Sequence, residues 1–236
     1  MADHWMPTIT LPLTLEQFQQ LPRHPAYKYE YVNDKAVLSP WSKHYHALLE
    51  LTERPVDPEV NLRPVRISDW IELVPVFAEA FRTIQPYGSL NDETRCIAAE
   101  EALERTRSGG DGPWIERASF VAFEGLRAIG GVFVTLLPEG DPCDWDNYRW
   151  NDPPPPDCIE RCLGRPHLTW IFVSPWHAGR NTGTTLLAAA VNELRAMGFS
   201  ELLTTFVIGN TSSMLWHWRN GFELLSYPGS KRRRKC

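Results

Sequence analysis

The clearest pattern in the chain is HLTWIFVSP (His167 to Pro175), where apolar side chains follow one another with almost no polar interruption. A run of that length suits a central strand buried on both faces. After WHAGRNTG the period changes. In TTLLAAAVNELRAMG the apolar residues Leu186, Leu187, Ala190, Val191 and Leu194 recur with helical spacing, and Gly198 stands where a C-cap glycine belongs. ELLTTFVIG (Glu201 to Gly209) returns to strand character, so residues 167 to 209 read as a β-α-β unit whose strands are parallel if adjacent. A short helix from about Thr211 to Asn220 stops at Gly221, and FELLSY forms a last strand.

Upstream, LRPVRI (Leu62 to Ile67) is a short strand, and Ser68 or Asp69 caps a helix through WIELVPVFAEAFR with Pro75 in its first two turns. A second helix spans about Asp92 to Arg107 and ends at Ser108-Gly109-Gly110. ASFVAFEG and AIGGVFVTLL, residues 118 to 125 and 128 to 137, form an antiparallel hairpin. Residues 138 to 166, rich in Pro, Asp, Trp and Cys, have no period and read as an insertion or lid.

The first sixty residues differ in character. LTLEQFQQLP is a short helix capped at Thr14, and YKYEYVNDKAVLS is a hairpin turning at Asn33 and Asp34. The proline-punctuated ERPVDPEV after it reads as a linker. The organisation expected is therefore a helix-hairpin appendage and linker over 1–60, a main domain over 61–228 with its insertion at 138–166, and a basic tail over 229–236. The helix followed by Tyr27 to Leu38 resembles the start of the Uma2 family, proteins with a restriction-endonuclease-like fold. The nuclease centre of that fold lies beyond this unit, so the segment is expected to be a structural remnant or docking arm.

Composition narrows the class. The chain is 43 % apolar with ten Trp, has no apolar run of membrane-spanning length and begins without a signal-peptide pattern, so a cytoplasmic globular protein is expected. Five cysteines at irregular spacing argue for thiols rather than a disulfide framework. A formal charge of −5, with KRRRK confined to the tail, leaves the body acidic and argues against duplex nucleic acid as a partner. An acidic body would suit a cationic ligand such as a polyamine or a lysine side chain.

The sharpest chemical signal is the loop Gly179, Arg180, Asn181, Thr182, Gly183 between the buried strand and the helix. Amides at the head of a helix have no intrahelical acceptor and sit at the positive end of its dipole, which makes an anion site. An ordinary β-α turn is the plainer alternative.

VSPWHAGRNTGTTLL (173 to 187) and NTSSMLWHWRNGF (210 to 222), in this order of elements, resemble the C-terminal half of the GNAT acetyltransferases. That family carries R/Q-x-x-G-x-G/A in the loop and N-x-x-A-x-x-L-Y-x-x-x-G-F after it; Asn210, Ser213, Trp216, His217, Gly221 and Phe222 match the second pattern in spacing. The resemblance covers about residues 62–227. It implies an α/β fold, a GNAT-like mixed central sheet in the order β-α-α-β-β-β-α-β-α-β flanked by helices, and acetyl-CoA as acyl donor. By implication the amides from Gly179 to Thr184, entered at Ala178, cradle the CoA pyrophosphate, the backbone near Phe172 and Val173 pairs with the pantetheine arm, and Asn210 contacts the cofactor further along.

Two positions depart from the family. Its loop-entrance Arg or Gln falls on Ala178, and its first glycine falls on Asn181, whose side chain is expected to intrude where a phosphate approaches. Arg180 offers a compensating charge. The family's common acid, a Tyr, falls on His217, which becomes the candidate acid for the departing thiolate. His167 is the candidate base, and Glu124 at the hairpin turn is a further candidate. Each has a bland alternative: a packed helix histidine, the end of a strand, and a solvated carboxylate. Cys143, Cys158, Cys162 and His167 have no standard zinc spacing, so no metal is expected. Trp145, Tyr148 and Trp150 could line the amine pocket or merely cover the sheet.

The activity expected is N-acetyl transfer to a primary amine of a small molecule or protein, with a homodimer the self-association considered. The alternative is a catalytically weak or inactive acyl-CoA-binding, sensing or interaction module.

Overall fold

The structure is a computed structural model and describes residues 9–23, 27–40, 44–142, 149–150, 152–207 and 210–225. The N-terminal segment builds a three-stranded antiparallel sheet from β1 (Ile9–Leu11), β2 (Tyr27–Val32) and β3 (Lys35–Pro40), in the order β1-β3-β2, with α1 (Leu15–Gln20) in between. Thr14 caps α1, as the sequence predicts, and Gln17 returns the bond to the Thr14 N–H. Asn33 and Asp34 have φ values of 50° and 57°, so a two-residue turn with both residues left-handed joins β2 to β3 without glycine.

The main sheet follows the expected order: β5 (Asn61–Pro64), α2 (Trp70–Ala80), α3 (Asp92–Arg107), β6 (Phe120–Glu124), β7 (Arg127–Leu137), β8 (Arg165–Val173), α4 (Thr182–Met197), β9 (Glu201–Val207), α5 (Thr211–Arg219) and β10 (Glu223–Leu224). Neighbouring strands are antiparallel except β8 and β9, which are parallel across the α4 crossover. Alternation along each strand gives the sheet two apolar faces. One packs Phe133 and Phe172 against Leu73 and Phe77 of α2 and Leu103 of α3; the other packs Val132, Val134 and Leu202 against Leu186, Val191 and Leu194 of α4.

The division expected at residue 60 needs correction on one point. Residues 44–50 form a strand, β4 (His44–Glu50), that enters the main sheet between β9 and β10, so the seven described strands run β10-β4-β9-β8-β7-β6-β5. β4 pairs with β9 along its whole length, from His44 opposite Val207 to Glu50 opposite Glu201, and buries Ala47 and Leu49 on the α4 side. The linker that follows is also held down: the Arg54 N–H donates to Asn192 Oδ1 at 2.9 Å, and its guanidinium donates to the Asn220 carbonyl at 2.7 Å. The small sheet is equally bound to the body, since Ile9, Leu11, Leu38 and Tyr27 share one hydrophobic cluster with α2 and α3.

Candidate functional site

β8 and β9 pair at only two positions, His167 with Leu203 and Leu168 with Thr204, and then part. The cause lies in β8. Phe133 of β7 faces Trp170 while the next residue, Val134, faces Leu168, which leaves Thr169 as an extra residue bulged out of register. A bulge bends its strand and increases the local twist. Beyond it residues 169–173 keep β7 on one side and, among the described residues, have no strand on the other, so alternate backbone N–H and C=O groups face an open edge. Gly130 permits the close pairing on the β7 side: a Cβ there would lie 2.7 Å from the Phe172 carbonyl oxygen.

Buried polar groups pin the apex of this V. Thr169 Oγ1 lies 2.8 Å from Thr135 Oγ1, and the His167 ring spans the gap, Nδ1 at 3.3 Å from Thr169 Oγ1 on β8 and Nε2 at 3.2 Å from Thr205 Oγ1 on β9. His167 is fully buried, and burial pushes its pKa down to about 3. The expected role as base is therefore corrected: an imidazole with no solvent exposure and both nitrogens engaged by threonines fastens the two strands together.

His217 is corrected likewise. Its Nδ1 lies 2.7 Å from the Ser213 carbonyl oxygen, which can only accept, so Nδ1 carries the proton. In the neutral ring Nε2 is then an acceptor, 3.2 Å from the Thr204 hydroxyl. The ring stacks on Phe206 at 4.7 Å and meets Trp216 and Phe222 edge-on, and burial, opposed by the Ser213 bond, lowers its pKa to about 4. In this tautomer it has no proton to give a thiolate; it anchors α5 to β9.

The two histidines make a stability prediction. Their pKa in the unfolded chain is near 6.5, so below that pH the unfolded state takes up protons that the folded state refuses. Stability is complete above pH 6.5 and is lost as the pH falls toward the folded values of about 4 and 3. By pH 5 the loss is roughly 2 kcal/mol for each residue. Urea unfolding midpoints compared at pH 7.5 and pH 5 measure it, and coincident midpoints would refute the buried neutral assignment.

The loop after β8 presents a run of unused amides. The His177 and Ala178 N–H groups are used locally, donating to the Ser174 and Pro175 carbonyls, so the unused amides begin after the loop entrance at Ala178, at Gly179 as expected. The N–H groups of Gly179, Arg180, Asn181, Thr182, Gly183 and Thr184 have no acceptor among the described residues, and the first intrahelical bond runs from Thr185 to Asn181. They crown α4, where the helix dipole is positive. Gly179 and Asn181 are both left-handed, φ 78° and 63°, so asparagine takes the conformation the family gives to glycine. Its side chain does not fill the cradle as expected: Asn181 Nδ2 reaches Asp57 Oδ2 of the linker at 3.5 Å.

Glu124, at the end of β6, holds this loop. Its carboxylate lies 3.1 Å from His177 Nε2 and 3.8 Å from the Arg180 guanidinium, and the His177 hydrogen bond lowers its pKa. It does not line the cavity described next, so the expected catalytic role is replaced by a tether, and Arg180 carries a carboxylate neighbour.

A cavity of about 670 Å³ runs from the cradle along β8, through the V, to the α2 face of the sheet. Phe172, Val173, Ala178, Gly179, Asn181, Thr182, Gly183, Thr184 and Asn210 all line it. Asn210 caps α5 through Oδ1, 3.1 Å from the Ser213 N–H, which leaves its side-chain NH₂ free toward the cavity. The sequence reading missed Trp216, beside Gly183, and the wall on the α2 side; local periodicity carries no sign of either.

The long insertion takes no part among its described residues. Trp150 donates to the Leu136 carbonyl at 2.9 Å and packs on the α4-side core, which makes it a cover for the sheet. Trp145, Tyr148 and Cys143 lie outside the described residues. Cys162 Sγ donates to the Met197 carbonyl at 3.4 Å, and the described residues contain no cluster able to hold a metal ion.

The model of the acetyltransferase (GNAT) family matches residues 90–222. The chain belongs to the GNAT acetyltransferase family. Acetyl-CoA is the acyl donor, and the head of α4 presents amides without acceptors beside an open strand edge. Among solved structures, a GCN5-related N-acetyltransferase from Sphaerobacter thermophilus superposes with a TM-score of 0.51 at 13 % identity, covering 95 % of this chain and 58 % of that one. The PaiA N-acetyltransferase from Thermoplasma acidophilum in complex with coenzyme A gives 0.49 at 16 % identity, covering 72 % and 94 %. A GNAT family acetyltransferase from Brucella melitensis in complex with acetyl-CoA gives 0.47 at 18 %, covering 74 % and 92 %. No curated protein matches the chain. No helix among the described residues is long and apolar enough to cross a membrane.

Proposed function

We propose that this GNAT enzyme transfers the acetyl group of acetyl-CoA to a primary amine by direct attack, with the amides of residues 179–184 on the diphosphate and the open edge of β8 along the pantetheine arm. The observation that carries the reading is one continuous cavity joining a helix N-terminus with unused N–H groups to an unpaired strand edge. The amine nitrogen bonds to the carbonyl carbon, the C–S bond breaks, and the proton that the nitrogen sheds passes to the departing thiolate, leaving the amide and the free thiol of CoA. With His217 engaged, Ser212 and Asn210 at the head of α5 are among the lining residues that can hydrogen-bond that sulfur. Backbone N–H groups of the open β8 edge suit the developing oxyanion.

The free thiols of Cys96, Cys158 and Cys162 support a cytoplasmic enzyme. The observed helix and hairpin support the likeness of residues 14–38 to the Uma2 start, and in this protein the segment serves as architecture. Isothermal titration with acetyl-CoA and CoA, followed by thiol release over an amine panel, tests the proposal. Saturable binding and amine-dependent release are expected; binding without release from any amine would make the domain a sensor, and no binding would remove the transferase reading.

A further inference from the structure

The head of α4 is flanked by α5. Ser212, Trp216 and Arg219 follow one another at spacings of four and three, which puts them on one face of that helix, and all three line the cavity. Trp216 stands against the unused amides. A Cβ built on Gly183 would lie 3.5 Å from Trp216 Nε1 and 3.9 Å from its Cε2, so the edge of the indole that carries the N–H is the edge turned to the head of α4. Val173 Cγ2 lies 3.7 Å from the same point, which places the contact where the amides give way to the open edge of β8.

That N–H is available. No described residue accepts a hydrogen bond from it, and its nitrogen is not among the sealed polar atoms. An indole nitrogen only donates, so what it can take from the cavity is an acceptor. The ring is also held in place: it meets His217 edge-on at 4.9 Å, and His217 is itself fixed between the Ser213 carbonyl and the Thr204 hydroxyl. A donor oriented before its ligand arrives loses little freedom when it binds.

The loop's own side chains leave the position to α5. Ala178 carries no donor, the Asn181 amide lies 3.5 Å from Asp57, and Arg180 has Glu124 at 3.8 Å. The family pattern has leucine where this chain has Trp216, so the donor is a feature of this chain.

We propose that the Trp216 indole N–H donates to the diphosphate of the acyl donor, completing from α5 the anion site that the α4 amides begin. The inference rests on the transferase reading above and adds a cofactor-binding residue to it. A hydrogen bond to a charged oxygen is roughly twice as strong as one between neutral groups, so its loss is expected to weaken binding about tenfold.

The test is titration of the full chain with CoA, 3′-dephospho-CoA and pantetheine, the last by displacement of bound CoA. Trp216→Phe keeps a ring and removes the N–H. CoA and 3′-dephospho-CoA are expected to bind about tenfold more weakly to it, and pantetheine, which has no diphosphate, within about twofold of wild type. Trp216→benzothienylalanine replaces the N–H with sulfur at nearly constant volume and should give the same pattern; it carries the test if the phenylalanine variant fails to fold. Equal losses for all three ligands would assign Trp216 to the pantetheine arm or to packing. A loss confined to CoA would assign it to the 3′-phosphate, and no loss would leave it a passive wall. Each of these overturns the inference, while CoA binding by the wild-type chain leaves the transferase reading standing. A wild-type chain that binds no CoA overturns both.

Discussion

Gly183→Asp is expected to weaken acetyl-CoA binding at least about a hundredfold, roughly 2.7 kcal/mol, while leaving the fold intact or slightly more stable. Gly183 is the second residue of α4, and a Cβ built on it would lie 3.5 Å from Trp216 Nε1 and 3.7 Å from Val173 Cγ2. These are ordinary contacts, so space for a small side chain exists. A carboxylate in the first turn interacts favourably with the helix dipole, by about 0.3–1 kcal/mol. The same carboxylate takes up the amides meant for the diphosphate and sets a negative charge against it. Stability and binding therefore move in opposite directions, which a misfolded variant cannot imitate. Gly183→Ala, which adds volume without charge, should stay within about threefold of wild type. Titration calorimetry with thermal melts reads both quantities, and an aspartate variant that binds acetyl-CoA normally would place the diphosphate elsewhere.

A chain begun at residue 61 is expected not to fold cooperatively, although the sequence pattern draws a domain boundary there. Removing residues 1–60 deletes β4, and with it the strand that pairs with β9 from end to end; β8 holds β9 at two positions only. It also strips Leu49 and Leu51 from one core and Ile9, Leu11, Tyr27 and Leu38 from the other. Burying a large apolar side chain contributes about 1.5–3 kcal/mol, so six of them outweigh the 5–15 kcal/mol net stability of a typical domain once the lost pairing is added. Leu49→Ala in the full chain should already cost about 2–4 kcal/mol. A soluble 61–236 fragment with a sharp unfolding transition would show that the N-terminal segment is an appendage after all.

Most of the secondary structure of the main domain was legible, and for physical reasons. The run from His167 to Val173 is apolar because β8 is covered on both faces; the spacing of Leu186, Leu187, Ala190, Val191 and Leu194 is the buried stripe of α4. The cradle was legible because a strand, a turn and a helix N-terminus are consecutive in the chain, so its amides are placed by local geometry alone. The catalytic histidines were misread for the complementary reason. A sequence shows that His167 and His217 are ionisable; their partners Thr205, Thr204 and Ser213 and their burial come from strands and helices meeting in space.

β4 escaped for the same cause. HYHALLE has a strand-like pattern, but its partner β9 lies more than 150 residues downstream, and no local signal specifies a pairing across that separation. The cavity joins residues as distant as Ile9 and Trp170, a meeting that no single segment of the sequence announces. By itself, then, the sequence determined the order of elements and the loop of unused amides at the head of α4, because periodicity and helix capping are short-range. The bulge that opens the V, the strand that pairs with β9 along its length and the far wall of the cavity were decided by the tertiary structure, because each depends on which remote surfaces hydrophobic burial brings together.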